Sequence, residues 1–236
     1  MKNSAYDTLF RVEDTLWWFV SRRGLYAGLL DGCKNLKILD AGCGTGSDMV
    51  FLREYGDVVG VDISKKALGY NRKRGNKVVQ GDINNLPFKD DTFDLVLAGD
   101  CIYHQWVDDK KAIRGFYRVL KKGGCLIVNT AAYESLRSKH DEAVMTKKRY
   151  TKKSLRNLLI ENDFKIQKIF YWNSILLPAR ILSLIFSIGD SENSDLQQGS
   201  FLNRILLFIM KIETGLLRMG VAFPFGNSIM CKARKE

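Results

Sequence analysis

A glycine-rich turn directly after an apolar run constrains this chain more than any other sequence feature. Residues 38–46 read ILDAGCGTG, so a predicted strand ends in Asp40 and turns through Gly42, Gly44 and Gly46 into a helix. Glycine has no Cβ atom, which permits tight turns and lets the backbone come close to a ligand. In an open α/β sheet, such a loop lies at the carboxyl end of the first strand, where ligands bind.

Short apolar runs alternate with helical patterns over most of the chain. Runs without strict polar alternation indicate strands that are covered on both faces, which is typical of a parallel sheet. We therefore predict an α/β fold with a doubly wound, seven-stranded, mostly parallel sheet. The predicted strands are 37–41, 58–62, 77–81, 93–98, 124–131, 164–172 and 228–234, and the predicted helices are 47–54, 65–72, 109–120 and 152–161. Ser64 and Thr151 are predicted N-caps, and a loop is predicted from Ala132 to Tyr150.

Two further segments accompany this core. Apolar spacing predicts one helix over 6–30, which makes residues 1–32 an N-terminal helical cap. An apolar helical insertion at 173–227 precedes the last strand. Within it we predict helices at 174–188 and 201–220, separated by a polar, mobile loop at 189–200. The chain is thus predicted to be one domain, with its core at 36–172 and its last strand at 228–236.

Two kinds of cofactor loop begin in this way. The dinucleotide-binding pattern G-x-G-x-x-G requires its third glycine at position 47, where this chain has Ser47, and the glycine stands at 46 instead. Asp62 closes the second strand, and an acid there suits ribose hydroxyls in either family. The loop and Asp62 therefore leave both possibilities open.

The later motifs distinguish the two. Residues 80–83 read QGDI, 86–88 read LPF, 91–96 read DTFDLV and 118–124 read RVLKKGG. Together with the G-x-G-x-G loop, this ordered set resembles the class I (Rossmann-like) S-adenosylmethionine-dependent methyltransferases, with Lys122 where that family usually has proline. The resemblance extends over about residues 38–131. It implies methyl transfer from S-adenosyl-L-methionine, with S-adenosyl-L-homocysteine as the product.

The resemblance also implies roles for particular residues. Asp40 and Gly42 would lie beside the methionine part of the cofactor, Asp62 would bind the ribose hydroxyls, and Asp82 would accept from the adenine amino group. The predicted cofactor-binding residues are Asp40, Gly42, Cys43, Gly44, Gly46, Asp62, Ile63, Asp82, Ile83, Cys101, Trp18 and Arg22.

The segment after the fourth strand supplies the catalytic candidates. Residues 100–104 read DCIYH, which resembles a family segment that often contains histidine, so Asp100, Tyr103 and His104 are the predicted catalytic residues. A general base is optional, because the sulfonium is already an activated methyl donor. The alternative is that His104 packs under the cofactor or caps the helix near Asp108.

The N-terminal cap carries an aromatic and basic pattern. Trp18 and Arg22 are one helical turn apart and so share a face. The pattern E-x-x-x-WWF-x-x-R resembles the cap of some small-molecule methyltransferases, which would place Arg22 or Arg23 near the cofactor's carboxylate. The alternative is that the tryptophans are core residues and the arginines are solvated.

The distribution of charge along the chain indicates what kind of partner the protein binds. The net charge is +11, with +4 in residues 1–130 and +7 in residues 131–236. Arg204, Lys211 and Arg218 are seven residues apart on an apolar helix, and Arg180, Ser183 and Ser187 form a similar stripe before them. Such helices suit a membrane interface or a lid over an apolar substrate. The alternatives are packing within the fold or a dimer interface, and charges interrupt both stretches too often for a membrane-spanning helix.

Composition narrows the remaining choices. The five cysteines form no CxxC pair, so we expect a metal-independent enzyme in a reducing cytoplasm, with peripheral membrane contact through 174–220. The first residues lack the pattern of a signal peptide. Residues 100–103 read DCIY rather than the Asn/Asp-Pro-Pro-aromatic signature, which argues against methylation of a nucleic-acid base nitrogen.

The predicted function is methyl transfer to an oxygen, nitrogen or carbon of a small hydrophobic or lipid-like acceptor. An RNA methyltransferase and a non-catalytic scaffold that binds the cofactor are the alternatives. Strongly salt-dependent RNA binding would indicate the first of these.

Overall fold

The computed structural model describes residues 3–186 and 199–236, and it contains a seven-stranded sheet in the order β3-β2-β1-β4-β5-β7-β6. Strands β1 to β5 pair in parallel with one another, while β7 is antiparallel to both β5 and β6. The strands are β1 Leu36–Ala41, β2 Gly56–Asp62, β3 Lys77–Gln80, β4 Phe93–Gly99, β5 Leu120–Ala131, β6 Phe164–Trp172 and β7 Ser228–Lys235. The predicted fold class is confirmed.

The central strands are apolar because both of their faces are covered. In β4 the side chains of Leu95, Val96, Leu97 and Ala98 are all buried, and they divide between two apolar clusters on opposite faces of the sheet. The helices are α1 Asn3–Val12, α2 Trp17–Leu29, α3 Ser47–Leu52, α4 Lys65–Lys73, α5 Asp109–Val119, α6 Lys139–Ala143, α7 Lys152–Ile160, α8 Leu177–Ile185 and α9 Ser200–Arg218. The predicted caps are confirmed, since Ser64 accepts from the N–H of Ala67 and Thr151 from that of Ser154.

The prediction of one helix over 6–30 is wrong, because the chain forms α1 and α2 with a turn at residues 13–16. The carboxylates of Glu13 and Asp14 both pair with Arg74, at 2.9 Å in each case. The backbone N–H of Trp17 donates to Asn203 Oδ1 at 2.7 Å, so a residue of α9 satisfies the start of α2. Partners distant in sequence stabilise this turn, and local periodicity does not reveal them.

The segment 132–150 is more ordered than the predicted loop. It contains a short 3₁₀ helix at Glu134–Leu136 and then α6. Asp141 Oδ2 accepts from the N–H of Ser138 at 2.9 Å, which fixes the start of α6. Strand β5 also begins earlier than predicted, at Leu120, because this residue pairs with Phe93 in β4.

The insertion forms α8 and α9 on the cofactor side of β6. Helix α8 is shorter than the predicted 174–188, and the predicted mobile loop at 189–200 lies mostly outside the described residues. The buried Glu213 of α9 accepts from the N–H groups of Ser174 and Ile175, and so holds the turn between β6 and α8. Across 3–186 and 199–236, every helix is too short or too polar to cross a bilayer.

Candidate functional site

A cavity of about 480 Å³ opens at the carboxyl ends of β1, β2 and β4. Its volume lies within the range of about 300–1,000 Å³ that is usual for small-molecule sites. The cavity brings together nearly all the predicted site residues, namely Trp18, Arg22, Asp40, Gly42, Cys43, Gly44, Asp62, Ile63, Asp82, Ile83, Asp100, Cys101, Tyr103 and His104. Only Gly46, of the residues predicted for the site, is not among the lining residues.

The glycine-rich loop is held in a shape that side chains would disrupt. Gly42 has φ +73°, and a Cβ atom there would lie 2.7 Å from the Cβ of Cys101, so the loops after β1 and β4 meet at this glycine. Gly46 has φ +89° and caps α3, where a Cβ atom would lie 2.1 Å from Asn71 Oδ1. Gly46 is absent from the lining residues of the cavity, and its contact with Asn71 of α4 helps to shape the loop; its predicted part in cofactor binding stays a prediction.

Asp62 ties the end of β2 to the glycine-rich loop. Its Oδ2 accepts from the N–H of Gly44 at 2.9 Å and its Oδ1 from the N–H of Ser64 at 2.8 Å. Burial raises the pKa of this carboxyl above its usual value. Each carboxylate oxygen has further acceptor capacity, so Asp62 can bind a pair of ribose hydroxyls while it holds the loop.

Asp82 and two isoleucines form the adjacent side of the cavity. Asp82 Oδ1 accepts from the backbone and side-chain nitrogens of Asn84, both at 2.9 Å. Ile63 is more than half exposed although it lines the cavity, whereas Ile83 is buried. An exposed apolar side chain beside a fixed carboxylate fits an aromatic ring that carries an amino group.

Arg22, in helix α2 of the N-terminal cap, is at the centre of a network of charged side chains. Its guanidinium donates to Asp48 Oδ2 at 2.6 Å and to Asp100 Oδ2 at 2.5 Å, and the Arg22 side chain is only 8% exposed. Asn129 donates to the same oxygen of Asp100 at 2.7 Å. The alternative of a solvated Arg22 is therefore wrong. Asp48 and Asn129 were missed by the sequence reasoning, because no motif marks them.

Trp18 completes this cap from the apolar side. Its ring lies 4.7 Å from the guanidinium carbon of Arg22 and 5.6 Å from the ring of Trp172 at the end of β6. A cation over a tryptophan face is attracted by the ring electrons. The cap thereby joins the start of the insertion to the cofactor loop.

The predicted catalytic residues are largely engaged within the protein. Asp100 pairs with Arg22, and burial raises the pKa of the Asp100 carboxyl and of the Tyr103 hydroxyl. Burial also lowers the pKa of His104 to about 4, so its imidazole is neutral near pH 7 and only weakly basic. The His104 ring stacks on Trp106 with 5.4 Å between centroids.

Other residues that line the cavity were not singled out by sequence reasoning. His140, Asp141 and Arg149 come from the segment 132–150, and Asn173 and Asn227 come from the ends of the insertion. Arg149 forms two hydrogen bonds of 2.9 Å to Asp141, and both side chains are buried. The side-chain oxygens of Asn173 and Asn227 are buried without a hydrogen-bond partner among the described residues, which leaves them available to a ligand.

Sequence comparison agrees with this geometry. Residues 39–128 match the family described as a methyltransferase domain. The malonyl-[acyl-carrier protein] O-methyltransferase of Pectobacterium atrosepticum is 34% identical over 112 residues, which cover 46% of this chain and 44% of the relative. The norajmaline N-methyltransferase of Rauvolfia serpentina is 35% identical over 140 residues, which cover 54% and 47%. The chain therefore spans less than half the length of these curated relatives.

Solved structures share the fold over a longer range. A SAM-dependent methyltransferase structure from Thermotoga maritima has a TM-score of 0.64 and 21% identity, covering 99% of this chain and 96% of the other. Phosphoethanolamine N-methyltransferase 2 of Haemonchus contortus, solved with S-adenosyl-L-methionine, has a TM-score of 0.58 and 20% identity, covering 89% and 52%.

The sheet order and the glycine-rich loop define an α/β protein that binds a nucleoside cofactor at the switch point of its sheet. Within that class, residues 39–128 match the methyltransferase-domain family, and the chain is similar in sequence and fold to S-adenosylmethionine-dependent methyltransferases, which use S-adenosyl-L-methionine as their cofactor.

Proposed function

We propose that this protein transfers a methyl group from S-adenosyl-L-methionine to a small, hydrophobic or lipid-like acceptor. One observation carries the proposal: the cavity that contains the cofactor-loop residues continues to the apolar side chains Leu176, Ala179 and Leu206 of the insertion. An acceptor with an apolar body could therefore be held beside the cofactor in a single cavity.

The protein contributes binding and orientation. When it is bound, S-adenosyl-L-methionine supplies an activated methyl group on its sulfonium. Asp62 would hold the ribose, Asp82 the adenine amino group and Asp40 the methionine part, with Gly42 close to the ligand. Orientation of two reactants in one site can lower a barrier by roughly 7–11 kcal/mol, so a fixed cavity is sufficient for large rate enhancement.

The basicity of His104 limits which kind of acceptor atom it could activate. A general base works best when its pKa is near the operating pH, and the pKa of His104 is about 4. His104 is then a poor proton acceptor for a weakly acidic hydroxyl or carbon. This favours an acceptor atom that is already nucleophilic without strong base, and it gives His104 a packing role beside Trp106.

The test follows the transferred methyl group. The full chain is incubated with methyl-tritiated S-adenosyl-L-methionine and a cell extract, which is then separated into organic-soluble, water-soluble, RNA and protein fractions. We expect more tritium in the organic fraction than in extract without the protein, and loss of that increase when an excess of S-adenosyl-L-homocysteine competes with the labelled cofactor. Label in the RNA fraction would support an RNA methyltransferase instead. Binding of S-adenosyl-L-homocysteine without transfer to any fraction would support a non-catalytic scaffold.

A second proposal concerns the place where the protein binds its acceptor. We infer that the outer faces of α8 and α9 bind an anionic membrane surface. Most of the exposed large apolar side chains in the described residues lie in the insertion, for example Ile185, Phe186, Phe201 and Phe208. Arg204 and Lys211 are exposed on the same face of α9. Arg218, the third residue of the predicted basic stripe, instead contacts α2, because its guanidinium donates to the carbonyl of Gly24. A net charge of +11 complements anionic lipids.

Vesicle sedimentation tests this surface. We expect binding to phosphatidylcholine vesicles that contain phosphatidylglycerol, and at least tenfold weaker binding when Phe201 and Phe208 are both replaced by serine. The reason is that each buried phenylalanine contributes about 1.5–3 kcal/mol. The matched control is Ile160→Ser, which removes an exposed apolar side chain from α7 on another part of the surface. Equal binding by wild type and double variant, or a stable dimer that buries this face in light scattering, would contradict the membrane assignment.

A further inference from the structure

Helix α8 has two faces with different surroundings. Leu176 at its N-cap, then Ala179, Arg180 and Ser183, line the cavity, and their spacing of three or four residues places them on one side. Ile181, Leu182 and Ile185 lie on the other side and are exposed. Arg180 is therefore the charged side chain that α8 presents to the cavity.

Arg180 differs from the other two arginines that line the cavity. Arg22 is paired with Asp48 and Asp100, and Arg149 is paired with Asp141. The side chain of Arg180 forms neither an ion pair nor a hydrogen bond with any residue in 3–186 or 199–236, and its Nε atom is buried without a partner. A buried donor without a partner is unfavourable, so a ligand that accepts from Arg180 would be stabilised there.

We propose that Arg180 binds an anionic group, a carboxylate or a phosphate, carried by the methyl acceptor. The planar guanidinium donates two parallel hydrogen bonds to either group, and such charge-assisted bonds are stronger than neutral ones. The neighbouring Leu176, Ala179 and Leu206 suit an apolar chain attached to that group. The acceptor is then an amphiphilic acid. This inference rests on the proposed function, because it assumes that the α8 end of the cavity holds the acceptor.

The carboxylates near the glycine-rich loop favour the same orientation of an acidic acceptor. Asp62 and Asp82 lie there, where their carboxylates would repel an anionic acceptor and attract the positively charged sulfonium and amino groups of the cofactor. Arg180 lies on α8 of the insertion, whereas these carboxylates lie at or just after the ends of sheet strands. An acidic acceptor would thus be oriented with its anionic group towards α8.

Calorimetric titration with octanoate, octyl phosphate and octanol, each on protein saturated with S-adenosyl-L-homocysteine, tests the inference. We expect at least one of the two anions to bind the wild type at least tenfold more tightly than octanol, which is about 1.4 kcal/mol. We expect Arg180→Met to remove that preference and Arg180→Lys to keep part of it. A preference for octanoate or for octyl phosphate identifies the anion as a carboxylate or a phosphate. The matched control is Arg204→Met, which removes an exposed arginine of α9 that is absent from the cavity lining.

The outcomes separate this inference from the proposed function. If S-adenosyl-L-homocysteine does not bind, both fail. If it binds but octanol binds as well as the two anions, or none of the three probes binds, only the anion inference is overturned. The same holds if Arg180→Met, folded by circular dichroism, keeps the full preference for the anion. The comparison of probes on the wild type needs no variant, so a misfolded variant does not prevent a decision.

Discussion

Replacement of Arg22 by methionine should lower the free energy of unfolding by about 3–5 kcal/mol, as expected when one partner of a buried ion pair is removed. The guanidinium is the shared partner of Asp48 and Asp100; without it, buried Asp100 would have no counter-charge and buried Asp48 only the longer pair of 3.9 Å with Arg23. It also lies over the ring of Trp18. Urea unfolding of both proteins, followed by circular dichroism, measures the difference.

The loss should also depend on pH. Burial already raises the pKa of Asp100, and removal of the nearby positive charge raises it further. A carboxyl whose pKa is raised in the folded state contributes stability that is present below its unfolded pKa and lost as pH rises through the folded pKa. The deficit of Arg22→Met should therefore be smaller at about pH 5 than at about pH 8.

An exposed ion pair provides the control for Arg22. Lys77 and Asp57 are 2.6 Å apart with side chains that are more than half exposed, so Lys77→Met should cost less than about 1 kcal/mol. Arg22→Lys should recover only part of the stability, because an ammonium group cannot donate to both carboxylates in the same planar geometry. A loss below about 1 kcal/mol for Arg22→Met would mean that this network does not hold the cap on the sheet.

Replacement of Asp62 by alanine should weaken the binding of S-adenosyl-L-homocysteine at least tenfold, or about 1.4 kcal/mol. The carboxylate would lose its bonds to the ribose hydroxyls, and the N–H groups of Gly44 and Ser64 would lose their acceptor. Calorimetric titration with S-adenosyl-L-homocysteine gives the dissociation constant, and a parallel titration with NAD tests the dinucleotide-binding alternative.

Asp57 offers a matched control on the same strand. It lies near the start of β2, at the opposite end from the cavity, and its side chain is exposed. Asp57→Ala should leave cofactor affinity unchanged. If Asp62→Ala binds S-adenosyl-L-homocysteine as tightly as the wild type, Asp62 does not hold the ribose, and its part in the site reduces to shaping the loop.

Much of the candidate site was predictable because it is local in sequence. Asp40, Asp62 and Asp82 each stand at or just after the end of a predicted strand, and parallel strands bring these ends to one edge of the sheet. Gly46 shows the limit of such reasoning. It belongs to the same motif, but it is absent from the lining residues of the cavity, and its contact with Asn71 of α4 is one that no spacing reveals.

The sequence by itself determined the α/β sheet, the glycine-rich loop and the resemblance to methyltransferases, since apolar strand runs, glycine positions and ordered motifs are properties of short segments. Only the tertiary structure decided which charged side chains are buried and which are paired. Arg22 and Asp100 are 78 residues apart and pair at 2.5 Å, whereas Arg180 faces the same cavity without a partner among the described residues. Burial and pairing depend on which distant segments meet, and they set the weak basicity of His104.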